Sequence, residues 1–328
     1  MSHHDRVVEH SLGLIGNTPL VHLRTFDDAT GCRILGKCEF LSPGHSVKDR
    51  PALYMIEQAE REGRLKPGGL VVEGTAGNTG IGVAMVCAAK GYRCILVIPE
   101  TMAREKIELA GAFGAEVRLV KKAPWGDPNH YHEIAKRIVA DMPGAVFADQ
   151  FNNQANTQSH YETTGRELWE QTDGVVDALV AGMGTSGTLV GAGRYLKERN
   201  PKLKVVVADP MGSVYFNYLT TGEPRAEGSS VLEGVGIGKV PGIYERGPID
   251  DIIRVSDKEA LAAMKQIIRR EGLFVGGSSG LSVAGALKVA SHMGPGKTIV
   301  TVLCDSGRNY MSRMFNAEWM AAQGLEPV

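Results

Sequence analysis

Residues 70–91 read LVVEGTAGNTGIGVAMVCAAKG, and the order of apolar, glycine-rich and periodic segments within them decides the fold. LVVE (70–73) is apolar on consecutive positions, as a strand is when both faces of a parallel sheet are covered. GTAGNTG (74–80) follows as a turn with three glycines, and IGVAMVCAAKG (81–91) is helical up to a terminal glycine. The same unit recurs outward along the chain. CILVIPE (94–100) leads into a segment with Ile107, Leu109, Ala110 and Phe113 that ends near Gly114. EVRLV (116–120), GAVFAD (144–149), DALVAG (177–182), KVVVAD (204–209) and KTIVTVLCD (297–305) repeat the strand signal. Strand–helix alternation on this scale predicts a doubly wound α/β protein.

The 328 residues give room for about two domains at roughly 150 residues each, and polar FNNQANTQSH (151–160) is the best place to divide them. Lys and Arg number 36 against 37 Asp and Glu, so no global charge favours nucleic acid or an anionic membrane. No apolar run approaches the ~18 residues of a membrane span. MSHHDRVVEH (1–10) lacks the apolar centre of a secretory leader, which makes the cytoplasm the expected compartment. Five scattered cysteines without a C-x-x-C pair argue against a disulfide framework or a structural metal site. One residue in eight is glycine (41 of 328), which implies many sharp turns or close backbone approaches.

Four segments carry the candidate chemistry. In SPGHSVKDRPALYMIEQAEREG (42–63), Leu53, Ile56 and Ala59 share a helical face and Gly63 is placed to end the helix. Lys48 falls at the helix start, where a cation opposes the macrodipole and Asp49 or Ser46 fits better. Partial desolvation there would lower its pKa and make the amine a nucleophile suited to a Schiff base. Taken alone, a solvent-facing lysine is the stronger reading. EGTAGNTGIGVA (73–84) offers helix-start amides with Thr75, Asn78 and Thr79, a carboxylate-sized anion site or an ordinary turn capped by Asn78 or Thr79.

GMGTSGTLVGAG (182–193) contains a literal G-x-G-x-x-G at Gly182, Gly184 and Gly187, with Asp209 closing the next strand. That pattern fits a dinucleotide site with an acid for the ribose. The hydroxyls of Thr185, Ser186 and Thr188 fit a phosphate monoester instead, and a plain structural turn is the third option. In GLFVGGSSGLSVAGA (272–286), LFV reads as a strand, and Ser278 and Ser279 are helix caps or donors to a ring heteroatom; spacing favours capping. Together these are one lysine and three Gly/Ser/Thr loops, each at the carboxyl end of an expected strand, the edge where open α/β sheets bind ligands. A nicotinamide enzyme would use one loop and leave Lys48 and the other two idle.

From IGNTPLVHL (15–23) to RNYMSRMF (308–315), with SVKDR, EGTAGNTGIGVA, GTSGT and GGSSG between them in order, the chain resembles the cysteine synthase and cystathionine β-synthase group of fold-type-II pyridoxal-phosphate enzymes. The resemblance implies two open, twisted, mostly parallel sheets covered by helices, with the active site between two domains. Residues 44–151 would form the smaller domain, and 12–43 plus 152–320 the larger. It implies that Lys48 carries pyridoxal 5'-phosphate covalently. Thr75, Ala76, Gly77, Asn78 and Thr79 would receive the amino-acid carboxylate with Gln150, Asn78 also lying near the cofactor's phenolic oxygen. Gly184, Thr185, Ser186, Gly187 and Thr188 would cradle the phosphate, and Ser278 would face the pyridine nitrogen.

The implied reaction is β-replacement on an O-activated serine, with small amino-acid and thiol substrates and a homodimeric enzyme. GHSVKDR, EGTAGNTG and EGSSVLEGVG (227–236) look like cysteine synthase, which joins O-acetylserine to sulfide. DQF (149–151), HYETT (160–164), GGSSG and RNYM look like cystathionine β-synthase, which takes homocysteine. The first assignment is preferred, the second is its alternative, and an NAD-dependent dehydrogenase is the more distant one. Region 211–245 is expected to shape the entrance for the thiol. Ala76 stands where the group often has Ser, and His45 and Ser186 stand where it has Gly.

Overall fold

The computed structural model describes residues 7–328; residues 1–6, part of the segment read above for a leader, lie outside it. Its strands are β1 (Leu20–His22), β2 (Arg33–Cys38), β3 (Leu70–Gly74), β4 (Arg93–Pro99), β5 (Glu116–Val120), β6 (Ala145–Phe147), β7 (Ala178–Gly182), β8 (Lys204–Asp209), β9 (Asp251–Arg254) and β10 (Thr298–Leu303). They form two sheets. One has the order β5-β4-β3-β6 and is parallel throughout. The other has the order β1-β2-β10-β7-β8-β9 and is parallel except for the β1–β2 pair. In both sheets the central strands are buried on consecutive positions, because helices cover both faces. The edge strands β1, β5, β6 and β9 are only partly buried, β5 the least.

All seven strands read from apolar runs are present. β1, β2 and β9 are additional, and β2 shows why they were hidden. RILGKC carries two cations and no clean apolar run, yet Lys37 is fully buried. Its Nζ donates to Glu167 Oε2 at 2.6 Å, to the Thr18 carbonyl at 2.5 Å and to Gln171. Partners distant in sequence turn an apparently polar segment into a central strand. Conversely, LFV (273–275) is not a strand: Val275 makes only an isolated bridge to Ser306.

The Asp49–Arg61 helix forms as read, with Gly63 at φ +68° past its end. Its buried face is Ala52, Met55, Ile56 and Ala59, whereas Leu53 is only half-buried. It crosses the Asn78–Lys90 helix at Gly82, where a Cβ would stand 3.0 Å from the Lys48 carbonyl and 3.1 Å from Ala52 Cβ. A side chain there would push the two helices apart. This glycine therefore holds the backbone of Lys48 against the helix that the 75–79 loop opens.

Candidate active site

At the carboxyl ends of both sets of strands, loops from the two sheets enclose one cleft of about 1020 Å³ of free space, its open mouth included. That is the size of a small-molecule pocket. Lys48, Thr75, Ala76, Gly77, Asn78, Thr79, Gln150, Gly184, Thr185, Ser186, Thr188 and Ser278 all line it. Gly187 does not face the cleft. It begins the Gly187–Arg199 helix against Asn156, whose Oδ1 would lie 2.1 Å from any Cβ at that position. His45 is exposed, with φ +61°, and is not part of the lining. The lining holds two lysines, Lys48 and Lys106, and no carboxylate, so the site suits an anionic ligand.

Lys48 precedes the first residue of its helix and caps nothing. Burial pulls its ammonium below the ordinary lysine value, against the charges of Cys304, Asp305 and Glu39. The solvent-facing reading is thereby corrected: the amine is half-buried in the wall of the cleft. In the neighbouring loop, neither Asn78 nor Thr79 caps the Asn78–Lys90 helix; Gly77 holds the cap position. The two side chains are engaged elsewhere instead, Asn78 with the body of the other sheet and Thr79 within its own. Asn78 Nδ2 donates to Asp305 Oδ2 at 2.6 Å. Thr79 Oγ1 donates to Gln150 Oε1 at 2.6 Å, and Gln150 Nε2 donates to Glu73 Oε1 at 3.0 Å. Gln150 is thus fixed at both ends of its amide.

Ser278 and Ser279 do not cap their helix either; Gly276 does, without a side-chain bond. Ser279 Oγ accepts from the Cys304 amide at 2.9 Å. Ser278 stays in the lining beside Cys304, whose thiol is pushed up to about 11 by burial and by Asp305, against the Lys48 charge and the hydroxyls of Ser278 and Ser282. Asp209 overturns the dinucleotide reading. It is fully buried, accepts from the Phe216 amide at 3.1 Å and faces Arg254 at 3.4 Å. It is absent from the lining, so no acid waits there for a ribose.

The 184–188 loop fits a phosphate on its own evidence. Ser186 sits at φ +76° at the cap of the Gly187–Arg199 helix, and its hydroxyl is buried without a hydrogen-bond partner. A buried unpaired hydroxyl is costly unless a ligand supplies the missing acceptor. Thr185 and Thr188 flank it in the same wall, with the helix-start amides behind them.

Gly234–Ile237 of the 211–245 region line the cleft, as does Met183 of the 182–193 segment, whereas sequence reasoning missed Lys106, Tyr131 and Cys304. Cys304 was within reach, since it follows β10 at the ligand-binding edge. Lys106 was not. In REKIELAGA it reads as a helix surface, yet it is buried, 2.8 Å from Glu233 Oε2 and 4.1 Å above the Tyr310 ring.

Lys48 and the 184–188 loop line one cleft between two α/β sheets, and comparison with known proteins gives the class of protein. Residues 12–305 match the family described as pyridoxal-phosphate dependent enzyme, and the chain belongs to that family. It is 44% identical over 318 residues to Cysteine synthase 1 of Neurospora crassa, covering 95% of this chain and 85% of that one. It is 41% identical to the cystathionine beta-synthase of Apis mellifera, across 98% of this chain and 64% of the other. The crystal structure of O-ureido-L-serine synthase superposes with a TM-score of 0.86 at 34% identity, over 94% of each chain.

Proposed function

We propose that this pyridoxal-phosphate enzyme replaces the β-substituent of an O-activated serine with a thiol, making L-cysteine from O-acetylserine and sulfide. The observation that carries the reading is the desolvated Lys48 amine, set opposite a phosphate-shaped loop and beside a carboxylate-shaped one. When bound, pyridoxal phosphate supplies an electron sink that acidifies the Cα–H of an amino acid joined to it. The cradle residues Thr185, Ser186 and Thr188, with the amides of 184–188, hold the phosphate end. Ser278, in the lining, would meet the cofactor's ring nitrogen with a neutral hydroxyl, which would not favour protonation there and would suit elimination over longer-lived carbanion chemistry.

The amides and hydroxyls of 75–79 and the amide of Gln150 bind the substrate carboxylate and orient Cα–H toward Lys48. Lys48 Nζ, its basicity lowered by burial, takes that proton and later returns it. Acetate leaves Cβ and sulfur bonds to the same carbon. Folding of the 75–79 loop over the carboxylate keeps water away. Residues 44–151 act as the smaller domain, and 12–43 plus 152–320 as the larger. The segregation of β3–β6 from the remaining strands supports that division. The enzyme works as a homodimer.

Similarity to a cystathionine beta-synthase across nearly the whole chain supports homocysteine as the competing acceptor. Turnover with O-acetylserine or serine, each offered sulfide or homocysteine, tests the proposal. Highest kcat/KM with O-acetylserine and sulfide is expected; a clear preference for homocysteine moves the assignment to the alternative. Lys48→Ala should abolish turnover and the borohydride-sensitive visible absorbance together.

A further inference from the structure

Behind the 184–188 loop, two side chains one helical turn apart reach the two threonines that face the cleft. Asn156 and His160 lie where the Ala155–Ser159 helix widens into the π-helix His160–Gly165, and such widened turns are frequent at functional sites. Asn156 Nδ2 donates to the Gln150 carbonyl at 2.9 Å and to Thr185 Oγ1 at 3.0 Å. A backbone carbonyl has no hydrogen to give, so the nitrogen of this amide must face it, and both of its hydrogens are then committed. Thr185 Oγ1 accepts from Asn156, which leaves the hydroxyl hydrogen for the cleft.

His160 is fully buried and neutral, because burial and the charges of Lys48 and Arg50 hold its imidazole well below the ordinary histidine range. Its Nδ1 lies 2.9 Å from Thr164 Oγ1 and its Nε2 lies 3.2 Å from Thr188 Oγ1. A phosphate dianion offers only acceptors. A Thr188 hydroxyl that serves it must donate outward, and must therefore accept from His160 Nε2–H, while Nδ1 accepts from Thr164. Glycines make this reach short. A Cβ at Gly187 would meet Asn156 Oδ1 at 2.1 Å, and one at Gly191 would meet the Thr157 carbonyl at 2.3 Å and His160 Cβ at 2.9 Å.

We propose that Asn156 and His160 are positioning residues that preset the Thr185 and Thr188 hydroxyls as donors to the cofactor's phosphate. Neither touches the ligand. Each fixes a donor in advance, so that the cradle meets its charge without reorganising. The inference rests on reading 184–188 as the phosphate cradle, and the test separates the two.

Affinity of the apoenzyme is measured for pyridoxal phosphate and for pyridoxal, which lacks the phosphate. Asn156→Ala and His160→Leu should each weaken pyridoxal phosphate binding roughly tenfold and leave pyridoxal binding unchanged. His160→Gln, which keeps an N–H near the Nε2 position, should restore most of the loss. Asn156→Asp, which keeps the shape and removes the donor, stands in if the alanine variant does not fold by circular dichroism. In a Thr185→Val background Asn156→Ala should have no further effect, and likewise His160→Leu in Thr188→Val. Full additivity in those backgrounds, or equal losses for pyridoxal, overturns the positioning role. If the valine variants alone leave the preference for the phosphorylated ligand intact, the cradle reading falls and the inference falls with it. If the valine variants remove that preference while Asn156→Ala and His160→Leu retain it, only the positioning inference falls.

Discussion

Ser186 concentrates the tension between stability and binding at the scale of one residue. Its φ of +76° lies in the left-handed region, which a residue with a Cβ occupies at a penalty of about 1 kcal/mol. Its hydroxyl adds the cost of burial without a partner. Both penalties fall on the cofactor-free protein, and a bound phosphate relieves the second. Ser186→Gly should therefore raise the melting temperature of the apoenzyme, by about 1–2 kcal/mol in stability. The same change should weaken cofactor retention several-fold. Parallel thermal melts with and without pyridoxal phosphate check both signs, and a glycine variant less stable than the parent when empty would contradict the strain argument. Much of this was legible in sequence, because three hydroxyls crowded between glycines are unusual for a plain turn. The left-handed backbone at a serine was signalled only by the resemblance, which puts Gly at that position and at His45, since nothing local distinguishes it from Thr185 or Thr188.

At the scale of the element, the helix that delivers Lys48 is anchored by charge on one side and, on the other, holds a carboxyl that burial makes a weaker acid. Arg50 is buried between Glu39, at 2.7 Å, and Glu167, at 2.6 Å, and Lys37 shares Glu167. These side chains bring together β2, the Asp49–Arg61 helix and the Arg166–Gln171 helix, ties that no local periodicity reveals. Arg50→Met would leave two buried carboxylates facing one lysine. A loss of about 3–5 kcal/mol in urea unfolding is expected, because removing one partner strands the others.

Asp49 behaves in the opposite way. Burial pushes its carboxyl up to about 7, although the Gly44 amide donates to Oδ2 at 2.6 Å. The folded state thus holds a proton that the unfolded chain releases near pH 4. The stability linked to this group is complete below pH 4 and is lost as pH rises through about 7. Asp49→Asn should flatten the pH dependence of unfolding between those values, by roughly 2–4 kcal/mol across the window. Unfolding curves for the two proteins that run parallel from pH 4 to pH 8 would refute the assignment.

For the whole molecule, the strand–helix alternation and the set of ligand loops were readable because each depends on neighbours in sequence. The way the two sheets meet was not readable, because it depends on pairs far apart in the chain. Four contacts tie residues 101–112 and the 75–79 loop to the opposite body. Asn78 bonds Asp305, Glu105 Oε1 accepts from the Ser312 amide at 2.6 Å, Arg313 donates to the Thr101 carbonyl, and Lys106 pairs with Glu233 at 2.8 Å. Lys106 also lies 3.4 Å from where a Gly77 Cβ would stand. The same ammonium therefore lies against the 75–79 loop and pairs with Glu233 of the 231–237 segment on the far wall.

Buried pairs of this kind lose more by losing one member than by losing both. Glu233→Gln should strand the Lys106 charge and loosen closure. The expected result is a KM for the amino-acid donor raised several-fold, with faster hydrogen exchange in both 75–79 and 231–237. If the pair is a tie between bodies, Lys106→Glu combined with Glu233→Lys should recover part of the exchange protection that either single change removes. If Lys106 acts only as a positive charge beside the substrate carboxylate, the swap recovers nothing and Glu233→Gln leaves exchange at 75–79 unaltered. Closure and carboxylate binding are then one event only in the first case, since the cation that orders the loop is the cation that holds the walls together.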